Sequence, residues 1–415
     1  MISLRHFRRF WIALLVFAAM GSPALQAAEK PKIRAVTAFV RIDTAQMAAQ
    51  IAETAAMLRQ AKNEFERAGY EVQTLRITPQ PFTVIARAMS RDQVRAFYSE
   101  YEALVKKEGF PTAIGPAAFH DPDDFSLTDF YAEILATHPG LDGSIIVGDE
   151  SGVHWKSVRA AARIMKYLEE HTPHSQGNFN FAAAAMVEPL TPFYPASYHV
   201  GGGRQFAVAL QGASLVDEAF SAAKGNHEAA RKTLAILLAF HGKAIQDLST
   251  AIEKRTGWAF MGIDVSTAPL KDVSIGAAVE KLTGVPFGSP GTMAAAALIT
   301  SVLKDAPLMR RGYSGLMLPV LEDSRLAQRW SEGTLTLDAL LAYSSVCGTG
   351  LDTVPLPGDV TEDQLSRIIG DIASLAVRLR KPLTARLMPV QGKKAGDLTE
   401  FNDPFIVNAR IQPLH

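Results

Sequence analysis

Strand signals alternate with amphipathic helix signals from Lys32 to Val390, and this alternation constrains the fold more than any other feature of the chain. Residues 32–42 (KIRAVTAFVRI) alternate polar and apolar side chains, as a half-buried strand does. Asp43 or Thr44 can cap a following helix in which Met47, Ile51, Leu58, Phe65 and Ala68 recur at helical spacing, and Gly69 can end it. The same alternation predicts further strands over 70–77, 144–147, 178–186, 205–211, 258–264 and 384–390. It predicts helices over 92–108, 127–137, 154–170, 227–255, 273–283, 292–303, 337–345 and 362–380. Strands joined through crossover helices imply a largely parallel sheet in an α/β fold. No repeat, low-complexity tract or linker divides the pattern, so residues 28–415 read as one domain. Periodicity alone does not choose between a closed barrel and an open sheet.

Residues 1–27 stand outside this pattern. Arg5, Arg8 and Arg9 form a basic start, and residues 10–20 (FWIALLVFAAM) form an apolar core too short to span a bilayer comfortably. Gly21, Ser22 and Pro23 break the core, and small residues follow. These are the marks of a signal peptide cleaved after Ala27, or after Ala28, which predicts a periplasmic or secreted protein. No later run of 18 apolar residues occurs, so no membrane partner is expected after cleavage. Lys+Arg and Asp+Glu balance at 42 each, which argues against a nucleic-acid partner. The single cysteine, Cys347, rules out an intrachain disulfide and any cysteine-cluster metal site.

Four segments concentrate candidate chemistry. In 193–204 (FYPASYHVGGGR), His199 precedes three glycines and Arg204. Backbone N–H groups at Gly202 and Gly203 can approach an anion, with Arg204 as fixed charge and His199 as titratable group. In 261–266 (MGIDVS), Asp264 ends an apolar strand, where a carboxylate suits base or metal chemistry, or a helix cap. In 288–292 (GSPGT), Ser289 and Thr292 open a small-residue helix and could receive a phosphate or carboxylate, or simply cap it. The densest segment is 347–359 (CGTGLDTVPLPGD), expected as a proline-stiffened loop. It carries Cys347, Asp352 and Asp359, with Arg386 downstream as a carboxylate or phosphate clamp. The zinc-protease, nucleophile-elbow, EF-hand, Walker and dinucleotide motifs are all absent.

Taken together, IRAVTAFV, AGYEVQTLRIT, PFYPASYH, GYSGLMLPVLED, YSSVCGTGLDTVPLPGD and KPLTARLMPV resemble the bacterial proteins of the domain of unknown function 711, a group similar to UPF-type proteins with a pyruvate-formate-lyase-like fold. GLDTVPLPGD is the most specific part. The resemblance implies a ten-stranded α/β barrel of the glycyl-radical-enzyme type, built from two five-stranded halves with helices outside. It implies no assigned reaction. Glycyl-radical enzymes pair a radical glycine with a barrel cysteine, a place Cys347 would take. Residues 392–397 (GKKAGD) lack the arginine-led pattern of the radical segment, so no glycyl radical is expected.

Two functions compete. The first is a non-radical enzyme acting on a small anionic metabolite in the barrel. Asp264, Asp352 and Asp359 would supply acid/base groups or hold a divalent cation (Mg, Ca or Mn), and Arg386 and the His199–Arg204 loop would hold the anion. The second is a periplasmic binding protein that uses the same groups without catalysis. The first reading expects Asp264, Asp352, Asp359 and Arg386 to converge on one cavity with His199 at its rim.

Overall fold

The computed structural model describes residues 30–414, so the proposed signal peptide lies outside the described residues. Ten strands form one sheet: β1 (Lys32–Phe39), β2 (Leu75–Thr78), β3 (Thr112–Pro116), β4 (Leu141–Asp149), β5 (Gly152–Val153), β6 (Phe181–Ala185), β7 (Gln205–Gln211), β8 (Ala259–Asp264), β9 (Gly350–Pro357) and β10 (Leu383–Val390). Their spatial order is β8-β7-β1-β2-β3-β4-β6-β10-β9, with the two-residue β5 folded back on β4. The sequence β1-β2-β3-β4-β6 is parallel throughout and forms one half. The β7–β8 and β9–β10 pairs are each parallel internally, and they join the first half through antiparallel contacts of β7 with β1 and of β10 with β6. The molecule is thus mixed α/β with two halves of opposite strand direction.

No ladder joins β8 to β9, so the sheet does not close. Residues 309–320 run through the gap, with one parallel bridge to each side, Ile263 with Arg310 and Pro319 with Asp352. The segment cannot extend into a regular strand. Gly312 and Ser314 both have positive φ, and a Cβ on Gly315 would stand 2.5 Å from the Gly348 backbone.

Local chemistry explains most element ends. Helix Arg91–Glu108 starts with a Ser90/Gln93 capping box and ends at a left-handed Gly109, and Glu362–Leu379 starts with a Thr361/Gln364 box. Several boundaries differ from the sequence expectation. The strand expected over 70–77 is regular only at Leu75–Thr78, with a single parallel bridge from Val72 to Ile33 before it, and the one expected over 178–186 shortens to Phe181–Ala185. Strand β3 and helices Phe82–Ala88, Ala213–Ala223 and Ser324–Glu332 are additional. The largest correction concerns 347–359, expected as a loop: Gly350–Pro357 is strand β9. Pro355 and Pro357 fit there because β9 ends the hydrogen-bonded path, where a missing N–H breaks no further ladder.

The two faces of the sheet bury different things. Ile33, Val36, Phe206, Val208 and Leu210 pack outward into the helix layer. Ala35, Ala184, Ala207 and Ala209 point the other way, into separate interior clusters. These small side chains leave space that another piece of chain fills. Residues 187–199 enter the interior, with Val187, Leu190, Phe193, Ala196, Tyr198 and His199 buried. Leu190 N–H donates to the Tyr198 carbonyl at 2.8 Å, closing the segment on itself. The tip is tied to the strands: the Thr37 hydroxyl donates to the Pro192 carbonyl (3.1 Å) and the Tyr194 hydroxyl to the Ile77 carbonyl (2.9 Å).

Candidate functional site

Beneath that tip lies a cavity of about 530 Å3. Its first-half wall comes from the opening residues of successive parallel strands: Arg34, Arg76, Thr112, Asp142 and Ala182. The opposite wall carries Asp352 from β9, Thr384 and Arg386 from β10, and Glu322 and Asp403 from loops. With Glu102 and Lys106 also in the lining, three guanidiniums, one ammonium and five carboxylates therefore share one space lined by Phe179, Tyr194, Tyr313 and Phe405.

The three arginines are not equivalent. Arg386 is fully committed: Nε donates to Asp352 Oδ1 at 2.6 Å, Nη2 donates to Glu322, and Nη1 reaches the Phe179 carbonyl at 3.3 Å. Burial opposes its charge, but Asp352 and Glu322 outweigh burial and hold its pKa above the usual arginine value. Among the described residues, Arg34 has only a 3.7 Å approach to Glu322, and its Nη1 is buried with no hydrogen-bond partner. Arg76 donates through Nη1 to the Pro192 carbonyl at 3.2 Å, and its Nε is buried with no partner among the described residues. Burial and then the nearby Arg34 push Arg76 down to about 10. Both side chains lie against aromatic rings, Arg34 4.9 Å from Phe405 and Arg76 4.6 Å from Tyr194, so each guanidinium plane is fixed in orientation.

The carboxylates differ as well. Asp352 is held by Arg386, yet burial raises its pKa. Asp142 receives no hydrogen bond among the described residues. Burial pushes it up to about 7, against the pull of Arg76 and Arg386. A carboxyl with that pKa, within the field of Arg76 and its free Nε donor, suits proton transfer near neutral pH.

Of the four residues expected to converge, Asp352 and Arg386 line this cavity, and Asp264 and Asp359 do not. Asp264 is fully buried behind Tyr313. Its oxygens accept from Ser266 N (3.0 Å), Ser266 Oγ (2.5 Å), Tyr313 N (2.8 Å) and Ser314 N (2.9 Å), which ties residues 311–315 to the end of β8. Asp359 is exposed in the turn after β9. The three aspartates therefore do not make one cation-ligand set: one is saturated by donors, one is ion-paired and one faces solvent.

The anion-holding elements expected elsewhere are also dispersed. His199 is buried against Phe39, near the Gln205 side chain but with neither ring nitrogen in a well-formed hydrogen bond among the described residues, and is not at the cavity rim. Burial brings its pKa down to about 4. Gly202 and Arg204 are exposed, Arg204 pairs with Glu53 at 2.9 Å, and Gly203 packs against the backbone of Val40 and Arg41. Thr292 Oγ1 accepts from Gly288 N at 3.1 Å and the Thr292 N–H donates to the Ser289 carbonyl, so that turn satisfies itself. Cys347 is buried away from the cavity lining, with its sulfur accepting from Gly350 N at 3.3 Å.

Arg34, Arg76, Asp142, Glu322 and Asp403 lie outside the four segments that concentrate candidate chemistry in the sequence. A signal for the first two existed, since both interrupt apolar strand runs. Arg34 was absorbed into a polar/apolar alternation that assigned it to solvent.

The family profile described as "Uncharacterised ACR (DUF711)" matches residues 25–402. The chain belongs to the DUF711 family. Among its relatives, the UPF0210 protein of Pyrobaculum aerophilum is 33% identical over 356 residues, 80% of this chain and 76% of that one. The UPF0210 protein of Pelotomaculum thermopropionicum is 29% identical over 384 residues, 85% and 82% respectively. A solved structure, the anaerobic ribonucleotide reductase from Thermotoga maritima in complex with dATP and CTP, superposes over 85% of this chain and 75% of that one, at 9% identity and a TM-score of 0.42. For this DUF711 member the cavity residues themselves, not a relative's activity, are the basis of any functional reading.

Proposed function

We propose that this DUF711 protein binds a small anionic metabolite in the cavity between the two halves of the sheet and acts on it by proton transfer, without a radical. The observation that carries the reading is the pair of buried, unpartnered guanidinium nitrogens, Arg34 Nη1 and Arg76 Nε. Buried donors without acceptors are rare in folded proteins, and cationic ones call for an anionic partner. A carboxylate or phosphate between the two would supply it. Asp352 and Glu322 are engaged with Arg386, Asp403 accepts from Phe405 N at 2.8 Å and Glu102 from Gly140 N at 2.7 Å, so we assign proton transfer to Asp142, which receives no hydrogen bond among the described residues and is pushed up to about 7. The cavity volume falls within the range of about 300–1,000 Å3 usual for metabolite sites. The alternative, a binding protein without catalysis, uses the same two arginines and needs nothing of Asp142. We place the activity outside the cytosol on the strength of residues 1–27. N-terminal sequencing of the periplasmic fraction should then begin at Ala28 or Glu29, and full-length protein confined to the cytosol would remove this part.

The test is a thermal-shift screen of the purified chain against small mono- and dicarboxylates and phosphate esters. A ligand that raises the melting temperature should bind at least tenfold more weakly to Arg34→Gln and to Arg76→Gln. A ligand held equally by both variants would overturn the anion assignment. With a ligand in hand, Asp142→Asn should retain binding. Turnover lost in that variant supports the enzyme, and a ligand recovered unchanged from wild-type protein supports the binding protein.

A further inference from the structure

The opposite end of the first half carries a second constellation, independent of the cavity. His120 lies in the loop after β3, Asp149 is the last residue of β4, and His154 immediately precedes helix Trp155–His171. One donor atom from each lies within 4.8 Å of the others. His154 Nε2 is 3.3 Å from Asp149 Oδ1, and His120 Nδ1 is 3.5 Å from Asp149 Oδ2. Charge-assisted hydrogen bonds are shorter, about 2.7–2.9 Å. Ligands bound at about 2.0–2.2 Å around a tetrahedral ion stand about 3.4 Å from one another; each histidine nitrogen is at about that distance from one Asp149 oxygen, and one donor atom from each of the three residues lies within 4.8 Å of the others.

From this geometry we infer that His120, Asp149 and His154 form a binding site for a divalent transition-metal ion. Two imidazoles and one carboxylate are borderline ligands, suited to zinc and its first-row neighbours and poorly suited to magnesium or calcium. The site is built rather than accidental. Asp149 Oδ1 accepts from Ser151 N (2.7 Å) and Ser151 Oγ (2.6 Å), which fixes the carboxylate. His154 N–H donates to the Val147 carbonyl at 2.9 Å. The loop of His120 is pinned to the start of the helix: Ser157 Oγ donates to the His120 carbonyl (3.1 Å), and Asp121 accepts from Lys156 N (2.8 Å) and Ser157 N (2.9 Å). His154 is buried while His120 is largely exposed, so three protein ligands leave the outer coordination positions open to water or a small ligand. His154 Nδ1 has no partner among the described residues. Metal-binding histidines usually anchor that second nitrogen, so affinity here should be moderate rather than that of a closed structural site.

The test uses the untagged chain, stripped with a chelator and dialysed, then titrated with Zn2+ alone by calorimetry. One equivalent should bind with a dissociation constant on the order of micromolar. His120→Ala, at an exposed position that does not support the fold, should weaken binding at least tenfold, and Asp149→Asn should do the same. His171→Ala is the control and should bind as wild type does. With Co2+ in place of Zn2+, the visible absorption of a low-coordinate site should appear in wild type and vanish in His120→Ala. No saturable binding up to about 1 mM Zn2+, or unchanged affinity in His120→Ala, would overturn the site.

Discussion

Asp264 and Asp142 are both aspartates on strands, and burial raises the pKa of both, yet their surroundings are opposite. Asp264 is surrounded by four donors that meet it at 2.5–3.0 Å. Asp142 faces a cavity, receives no hydrogen bond among the described residues, and feels Arg76 and Arg386 against Asp403 and Glu322 only as charges. The first arrangement spends the carboxylate on architecture: it stitches the irregular 311–315 segment to β8 where no ladder exists. The second leaves the carboxylate free to change protonation. A buried acid is therefore informative about function only after its donors have been counted.

The largest effect should come from breaking the architectural side. Asp264→Ala leaves the Tyr313 and Ser314 N–H groups buried without an acceptor and should destabilise the protein by about 3–5 kcal/mol. A shift in the urea midpoint worth less than about 1 kcal/mol would contradict the stitching role.

Asp142→Asn should act in the other direction, and only at higher pH. In the unfolded chain the carboxyl ionises near 3.8, whereas in the folded protein it does so near 7. Between these values the unfolded state sheds a proton that the folded state keeps, so stability falls as pH rises through that window. At about 1.4 kcal/mol per pH unit, the full penalty reaches about 4 kcal/mol above pH 7. Asp142→Asn should therefore be more stable than wild type at pH 8 by up to that amount, and nearly equal to it at pH 4. Urea melts at the two pH values check this, and a pH-independent difference would mean that Asp142 does not titrate in this range.

His199 supplies a smaller effect of opposite slope. Burial holds its imidazole neutral down to about 4, while the unfolded chain takes up a proton near 6.5. Stability is therefore lost as pH falls through that window. His199→Phe, stacked on Phe39, should gain about 1 kcal/mol over wild type at pH 5 relative to their difference at pH 8. An equal difference at both values would show that His199 is not desolvated.

Much of the frame was legible before any coordinates. The period-2 and period-3.6 patterns located most strands and helices because those patterns follow directly from which face is buried. Strand β9 was missed because glycines and prolines read as turn formers, and only an unpaired edge makes Pro355 and Pro357 compatible with a strand. The site was half legible. Asp352 is singled out by the density of polar groups in 347–359 and Arg386 as a charge on an apolar strand, and both line the cavity; the same reasoning also picks Asp359 and Asp264, which do not. Arg34 escaped because alternation cannot distinguish a strand face turned to water from one turned to a polar cavity. Asp142, Glu322 and Asp403 are brought together by topology across 261 positions of sequence, which no local pattern encodes.

Cys347→Ser should have the smallest effect, and it extends the comparison to a nucleophile. The thiol is buried, outside the cavity lining, and accepts one hydrogen bond from Gly350 N. A serine oxygen can accept the same bond, and the side chain loses little volume. The spatial neighbour that sequence could not reveal is Lys381, whose Nζ reaches the backbone carbonyls of Cys347 (2.6 Å) and Ser345 (3.0 Å). Lysine is thus engaged with the peptide groups, holding the chain at the entry to β9, and the thiol's own hydrogen-bonding atom faces a backbone N–H. This is the Asp264 pattern again: a reactive side chain occupied by local donors. Cys347→Ser should change stability by no more than about 1 kcal/mol and leave ligand affinity within twofold of wild type. Lys381→Met should cost more, about 1–2 kcal/mol, by freeing two carbonyls. If a turnover assay is established and Cys347→Ser alone abolishes activity while the fold and affinity survive, then the cysteine belongs with Asp142 and the division drawn here is in the wrong place.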